Sequence, residues 1–178
     1  GGGVVRPGLL TAPRLEQDQG LARAWPGLRA MLLLLAVALL ARGFFFGNPV
    51  LESDEQFYLL VGDRMLQGAL PYLDIWDRKP VGLFLIYAAI RALGGEGIVQ
   101  YQVVATLFAT ATAFLVTRIG AELGSRRGGL LAGMAYLLWL GAFGGEGGQA
   151  PVFYNLFVAG AAWTALRAVA HPRLPARL

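Results

Sequence analysis

The sequence predicts an all-α protein of the polytopic membrane class, with interfacial amphipathic helices in a first outer loop. Three observations carry that expectation. Of 178 residues, 56% are hydrophobic and only 15% charged, against about 25% charged in ordinary soluble domains, and mean hydropathy is +0.56. Several apolar stretches approach the roughly 20 residues that a membrane helix needs. Most carboxylates gather in polar segments between those stretches, apart from most arginines. The chain has no Cys and a single His, His171. Disulfide frameworks, thiolate metal sites, cysteine nucleophiles and histidine-based triads are thereby excluded. Chemistry falls to carboxylates, Arg, Lys, Tyr, Asn or Gln. The formal charge of +4 does not point to nucleic acid, because the cations are spread between apolar segments. Membrane lipid is the expected surround.

Residues 1–27 are rich in Gly, Pro and Arg without helical periodicity, and read as a flexible cytoplasmic tail carrying Arg6, Arg14 and Arg23. The start without Met and the ending HPRLPARL suggest a piece of a longer protein, with 171–178 a truncated cytoplasmic end. Residues 28–170 form the expected transmembrane region. Its first span, 28–46, has a basic flank and no small-residue cleavage site, which favours a retained anchor over a signal peptide. Arg42, near the far end, is expected to snorkel toward the headgroups. Further spans are expected at 99–119, 128–143 and 151–170. The third is short and carries a Gly129–Gly133 spacing suited to close helix packing. His171, beside Pro172, reads as a helix-end cap or an exposed side chain.

The outer loop, 47–98, contains one further apolar stretch, 81–93, of only thirteen residues. As a helix it is about 20 Å long, against a hydrocarbon core of roughly 30 Å. Charge supplies an independent test. If this stretch does not cross, Arg6, Arg14, Arg23, Arg29, Arg118, Arg126, Arg127, Arg167, Arg173 and Arg177 share the inner side. The outer side then keeps Arg64, Arg78, Lys79 and Arg91. A crossing reverses the asymmetry, so the stretch is read as interfacial. Glu52, Asp54, Glu55, Asp63, Asp74, Asp77, Glu96 and Glu146 then all face outward.

Within 52–68, Ser53 and Gln56 form a capping-box pattern that predicts a helix start. Phe57, Leu60, Val61 and Met65 fall on one face and Gln56, Asp63 and Gln67 on the other, an amphipathic pattern suited to the membrane surface. Asp54 and Glu55 fall in the first turn. Acids there complement the helix dipole, and spacing alone favours that explanation. They are also candidates for a general base, a role typically contributing about 10²–10⁴-fold. Residues 70–82 place Tyr72 and Trp76 among Asp74, Asp77, Arg78 and Lys79, between two helix-breaking prolines. This is either an interfacial loop with compensating ion pairs or a phosphate site formed by Arg78 and Lys79, with Arg64 in reach. Arg64 suits an ion pair with a neighbouring acid equally well. Residues 144–157 surround Glu146 with glycines, which calls for a permissive backbone or close approach by another group. Glu146 is a candidate for holding an acceptor or a divalent metal, and Tyr154 and Asn155 for hydrogen-bonding a sugar. A solvated turn with ordinary helix polar packing explains Tyr154 and Asn155 slightly better.

In order, these stretches resemble the N-terminal part of the C-type polyprenyl-phosphate glycosyltransferases, closest to glycosyltransferase family 39, the protein-mannosyltransferase and aminoarabinose-transferase group. The matching motifs are Asp54-Glu55, Arg64-Met65-Leu66-Gln67-Gly68, Pro71-Tyr72-Leu73-Asp74 and Lys79-Pro80-Val81-Gly82. The last stands where the family has Lys-Pro-Pro-Leu. The resemblance covers roughly residues 28–170. It implies a C-type glycosyltransferase-like fold in the plasma or inner membrane, with its active face on the periplasmic or extracellular side. It implies a polyprenyl-phosphate-linked sugar as donor, Asp54 as catalytic carboxylate, Lys79 near the donor phosphate and Glu146 in a second acidic motif. The expected reaction transfers the sugar to an acceptor hydroxyl with inversion. The competing expectation is a non-enzymatic transporter or assembly subunit that only binds lipid-linked sugars.

Overall fold

The computed structural model describes residues 12–49, 51 and 53–170, with side chains from Gly27 onward. The first part of the expected tail, the expected cytoplasmic end and His171 lie outside the described residues. The helices are α1 (Ala12–Arg42), α2 (Ser53–Leu66), α3 (Val81–Ala92), α4 (Ile98–Leu123), α5 (Arg126–Ala142) and α6 (Ala150–Ala170). A short 3-10 turn, Gly43–Phe45, extends α1. No strand forms among the described residues, where one isolated bridge joins Pro71 to Ile75. α1 starts inside the stretch expected to be a tail. Its LEQDQ and LARAW segments consist largely of good helix formers, and helix propagates once an adjoining apolar segment is helical.

α4 is the centre, packing against α1, α5 and α6. Buried Ala105, Ala109 and Ala113 recur every fourth residue along it, so neighbouring backbones can come close. The expected Gly129–Gly133 spacing is what seats α5. A Cβ on Gly129 would stand 2.6 Å from Ala121 N, and one on Gly133 2.6 Å from Ala113 O. Buried threonines on α4 satisfy themselves locally: Thr106, Thr110 and Thr117 donate to carbonyls one turn back at 2.8, 2.8 and 2.9 Å. Ser125 caps α5, accepting from Gly128 N at 3.1 Å.

Three helices are long and apolar enough to cross a membrane: Gly27–Phe45, Ile98–Leu123 and Ala150–Ala170. The expected third span, 128–143, corresponds to α5, whose 17 residues make about 25 Å and fall short of that class. α4 and α6 finish together, with Arg167 Nε 4.0 Å from Glu122 Oε1. α5 therefore carries the chain back along the bundle between them.

The polar segment between α1 and α4 leaves and returns at one end of the bundle. Gln102 holds that junction: its Nε2 donates to Phe45 O at 3.1 Å and Asn48 O at 3.0 Å, while its Oε1 accepts from Gly47 N at 2.7 Å. α2 and α3 form a pair at this end. They meet closely where Gly62 lies against α3, a Cβ there standing 2.8 Å from the Tyr87 carbonyl carbon. The inward face of α2 differs from the expected one. Glu55, Tyr58, Leu59, Val61 and Gly62 are buried, whereas Leu60 is 49% exposed. The packing of α2 on α3 and α4 sets that face, and a pattern read from apolar residues alone misses a buried carboxylate and a buried glycine.

Candidate functional site

The adjacent carboxylates Asp54 and Glu55 leave α2 in different directions and meet opposite environments. Successive helix residues are about 100° apart, so two neighbours at the edge of the packed face can meet different surroundings. Asp54 keeps about half its side chain exposed, at 48%. Its Oδ2 accepts from Tyr58 OH at 3.2 Å and lies 3.6 Å from Lys79 Nζ. Lys79 Nζ also stands 5.7 Å from the centroid of the Tyr58 ring, within cation–π range. Burial, and then the charge of Asp54, push the Tyr58 hydroxyl well above its ordinary pKa. It therefore stays protonated and serves as a donor to Asp54.

The loop that delivers Lys79 is ordered by its own polar groups. Tyr72 has φ 70°, a left-handed conformation unusual for a residue with a side chain. Its amide donates to Ile75 O at 2.7 Å and its hydroxyl to Lys79 O at 2.6 Å. Asp74 Oδ2 accepts from Leu70 N at 2.8 Å, and Asp77 Oδ1 from Lys79 N at 3.2 Å. The two loop acids are thus backbone acceptors that shape the turn. Arg78 is exposed beside Lys79 and close enough to act electrostatically on Tyr58.

Glu55 is 0% exposed and ties α2 to the rest of the bundle. Its Oε2 accepts from Tyr101 OH at 2.8 Å and its Oε1 from Gly148 N at 2.5 Å. Tyr87 OH donates to Gly148 O at 2.8 Å. Burial, and then the charge of Glu55, hold the Tyr87 hydroxyl far above its usual range. Arg42, expected to snorkel, is instead 3% exposed. It donates from Nε to Thr106 Oγ1 at 3.1 Å and from its terminal nitrogens to the carbonyls of Gly145 and Gly147. It lies within electrostatic range of Glu55, Tyr136 and Glu146. A guanidinium near the end of an apolar helix finds its acceptors in the loop carbonyls that fold over it, so it has no need to reach water.

The Gly-rich turn between α5 and α6 is therefore a buried joint, where the sequence left open a permissive backbone or close approach by another group. Gly145, Gly147 and Gly148 are buried. A Cβ on Gly147 would stand 2.6 Å from the Glu55 carboxyl carbon, and one on Gly148 2.7 Å from the Tyr101 ring. Close approach by another group is the reason for these glycines. Glu146, between them, is half-buried.

Of the predicted site residues, Asp54, Lys79 and Arg78 come together, and Glu55 lies behind them as a buried tie. Arg64 lies about 15 Å further along α2 from Asp54, exposed and donating to Gln67 Oε1 at 3.4 Å. The acid beside it, Asp63, pairs with Arg91 at 2.6 Å. Asn155 Nδ2 donates to Tyr136 OH at 3.3 Å in a groove of about 360 Å³ lined also by Trp139, Leu140 and Phe143. Tyr154 is 48% exposed on α6. Neither Asn155 nor Tyr154 hydrogen-bonds to Asp54 or Lys79. No group of three or more carboxylate or imidazole side chains converges as a metal site among the described residues. Sequence reasoning missed Arg42, Tyr58, Tyr87, Tyr101 and Gln102. Arg42 carried the clearest signal, since an ionisable side chain within an apolar span marks a functional or structural site. No family model matches the chain, and neither a curated protein nor a solved structure matches it.

Proposed function

We propose that the chain is part of a membrane glycosyltransferase that moves a sugar from a polyprenyl-phosphate carrier to an acceptor hydroxyl at the outer face, with inversion. The observation that supports this most is the pairing of a half-exposed carboxylate, Asp54, with an ammonium, Lys79, at 3.6 Å. Their positions match the ordered motifs that resemble glycosyltransferase family 39. The positive-inside pattern supports an outward-facing site in the plasma or inner membrane: Arg118, Arg126, Arg127 and Arg167 lie at the opposite end of the bundle.

In this reading Lys79, with Arg78 beside it, binds the donor phosphate. Lys79 turns from Asp54 to the incoming anion and leaves the carboxylate available. Asp54 accepts the proton of the acceptor hydroxyl while that oxygen attacks the anomeric carbon. The bond from the anomeric carbon to the phosphate oxygen breaks, and its electron pair leaves on the carrier phosphate. Cations already in place stabilise that developing charge. Glu55 acts as a positioning residue, holding α2 and hence Asp54 against the turn that carries Glu146.

Transfer from a labelled polyprenyl-phosphate sugar, assayed in the whole protein, tests the proposal. Asp54→Asn is expected to lose at least about a hundredfold of activity with folding and carrier binding retained. Turnover near that of the wild type would remove Asp54 from the role. Carrier binding by the wild type without any transfer would favour the transporter or assembly-subunit reading.

A further inference from the structure

At the arginine end, α4 and α6 meet around a single tryptophan. The guanidinium carbons of Arg118 and Arg167 stand 5.7 and 5.6 Å from the Trp163 ring centroid, so two cations share one indole. Two positive charges around one indole favour an anion nearby. Glu122 answers only in part: its Oε1 is 4.0 Å from Arg167 Nε, long for a charge-assisted hydrogen bond. Arg118 is exposed and makes no ion pair among the described residues. Exposed Arg126 and Arg127 add positive charge at the start of α5. Trp163 Nε1 is buried yet has no acceptor among the described residues, and a buried indole N–H ordinarily has one. Two guanidinium groups and an orphaned N–H therefore belong to the surroundings of one indole, all of them donors.

Their surroundings indicate what kind of anion fits. α6 is mostly exposed and apolar, with Phe157 64% and Val158 61% exposed, and the helix ends present Val169 at 81% and Leu123 at 71%. Trp and Arg near the ends of apolar spans sit at headgroup level. The geometry points to a site at Arg118, Trp163 and Arg167 for the phosphodiester headgroup of an anionic lipid, in the leaflet at the arginine end. The phosphate oxygens accept from the two guanidinium groups that flank Trp163, while the acyl chains lie against exposed α6. Long arginine stems can turn to the phosphate, whereas the indole N–H is fixed by its helix.

Trp163 fluorescence tests this in the full chain, with Trp25→Phe, Trp76→Phe and Trp139→Phe removing the other indoles. The protein is placed in phosphatidylcholine vesicles containing equal fractions of either brominated phosphatidylglycerol or brominated phosphatidylcholine. Apparent affinity for the anionic quencher is expected to exceed that for the neutral one on the order of tenfold, as two arginines near an anionic surface imply. Arg118→Gln with Arg167→Gln should abolish the preference, and inorganic phosphate should leave it unchanged. Equal quenching by the two lipids would overturn the site, as would a preference that survives the double substitution. Relief of quenching by inorganic phosphate would overturn the lipid assignment in favour of a soluble anion. The wild type minus Trp163→Phe gives the same signal without the triple background.

Discussion

At one end of the bundle Arg42 is 3% exposed and Glu55 fully buried, both anchored to backbone groups of the turn between α5 and α6. At the other end Arg118 is exposed, Arg167 keeps 43% of its side chain in contact with the surroundings, and the ion pair to Glu122 spans 4.0 Å. Charge does different work at the two ends. Buried charge fixes one loop against another and cannot be removed cheaply, because the partner left behind has no water. Exposed arginines cost little to hold and remain available to a lipid phosphate. The neighbours Asp54 and Glu55 repeat the contrast on a smaller scale, one open to an incoming group and the other a tie within the structure.

That comparison breaks most easily at the buried end. Glu55→Ala should lower stability by about 3–5 kcal/mol, the usual cost of removing one partner of a buried charge network. Unfolding in detergent followed by circular dichroism would measure it, and a loss below about 1 kcal/mol would make Glu55 a surface-like group. Arg42→Ala should cost a similar amount by the same assay, since it leaves the Gly145 and Gly147 carbonyls without their donor. Gly147→Ala comes next. Its methyl collides with the Glu55 carboxylate, and overpacking of this kind costs about 1–3 kcal/mol. Combined with Glu55→Ala, most of that penalty should vanish, and a double-mutant cycle would detect the coupling. The smallest effect belongs to Asp54→Asn. Asp54 keeps 48% of its side chain exposed and Lys79 20%, so stability should change by less than about 1 kcal/mol even if transfer is lost.

The helical class and the positions of the long apolar spans were legible because composition and hydropathy report them directly. The order of motifs led to the expectation that Asp54 and Lys79 serve one site, but their ion pair was not anticipated, since a loop separates them and no helical spacing relates them. Arg42 was misread because snorkelling is the default for an arginine near a helix end, and sequence does not reveal that a distant Gly-rich turn supplies carbonyl acceptors. The role of Glu55 was hidden for a related reason: periodicity counts a carboxylate as polar and assigns it outward. The glycines at 147 and 148 did signal close approach, but not which side chains approach them. Tyr101 and Gln102 fall within an apolar span, where nothing local distinguishes a junction residue from ordinary helix surface.

The claim beneath the whole account is that the segment between α1 and α4 starts and finishes on one side of the membrane. The chain contains no cysteine, so single cysteines at Trp76, Glu96 and Arg126 can be tested without background. In sealed cells, an impermeant maleimide should label Trp76→Cys and Glu96→Cys, and reach Arg126→Cys only after the membrane is opened. Labelling of position 96 together with position 126, and apart from position 76, would contradict the account.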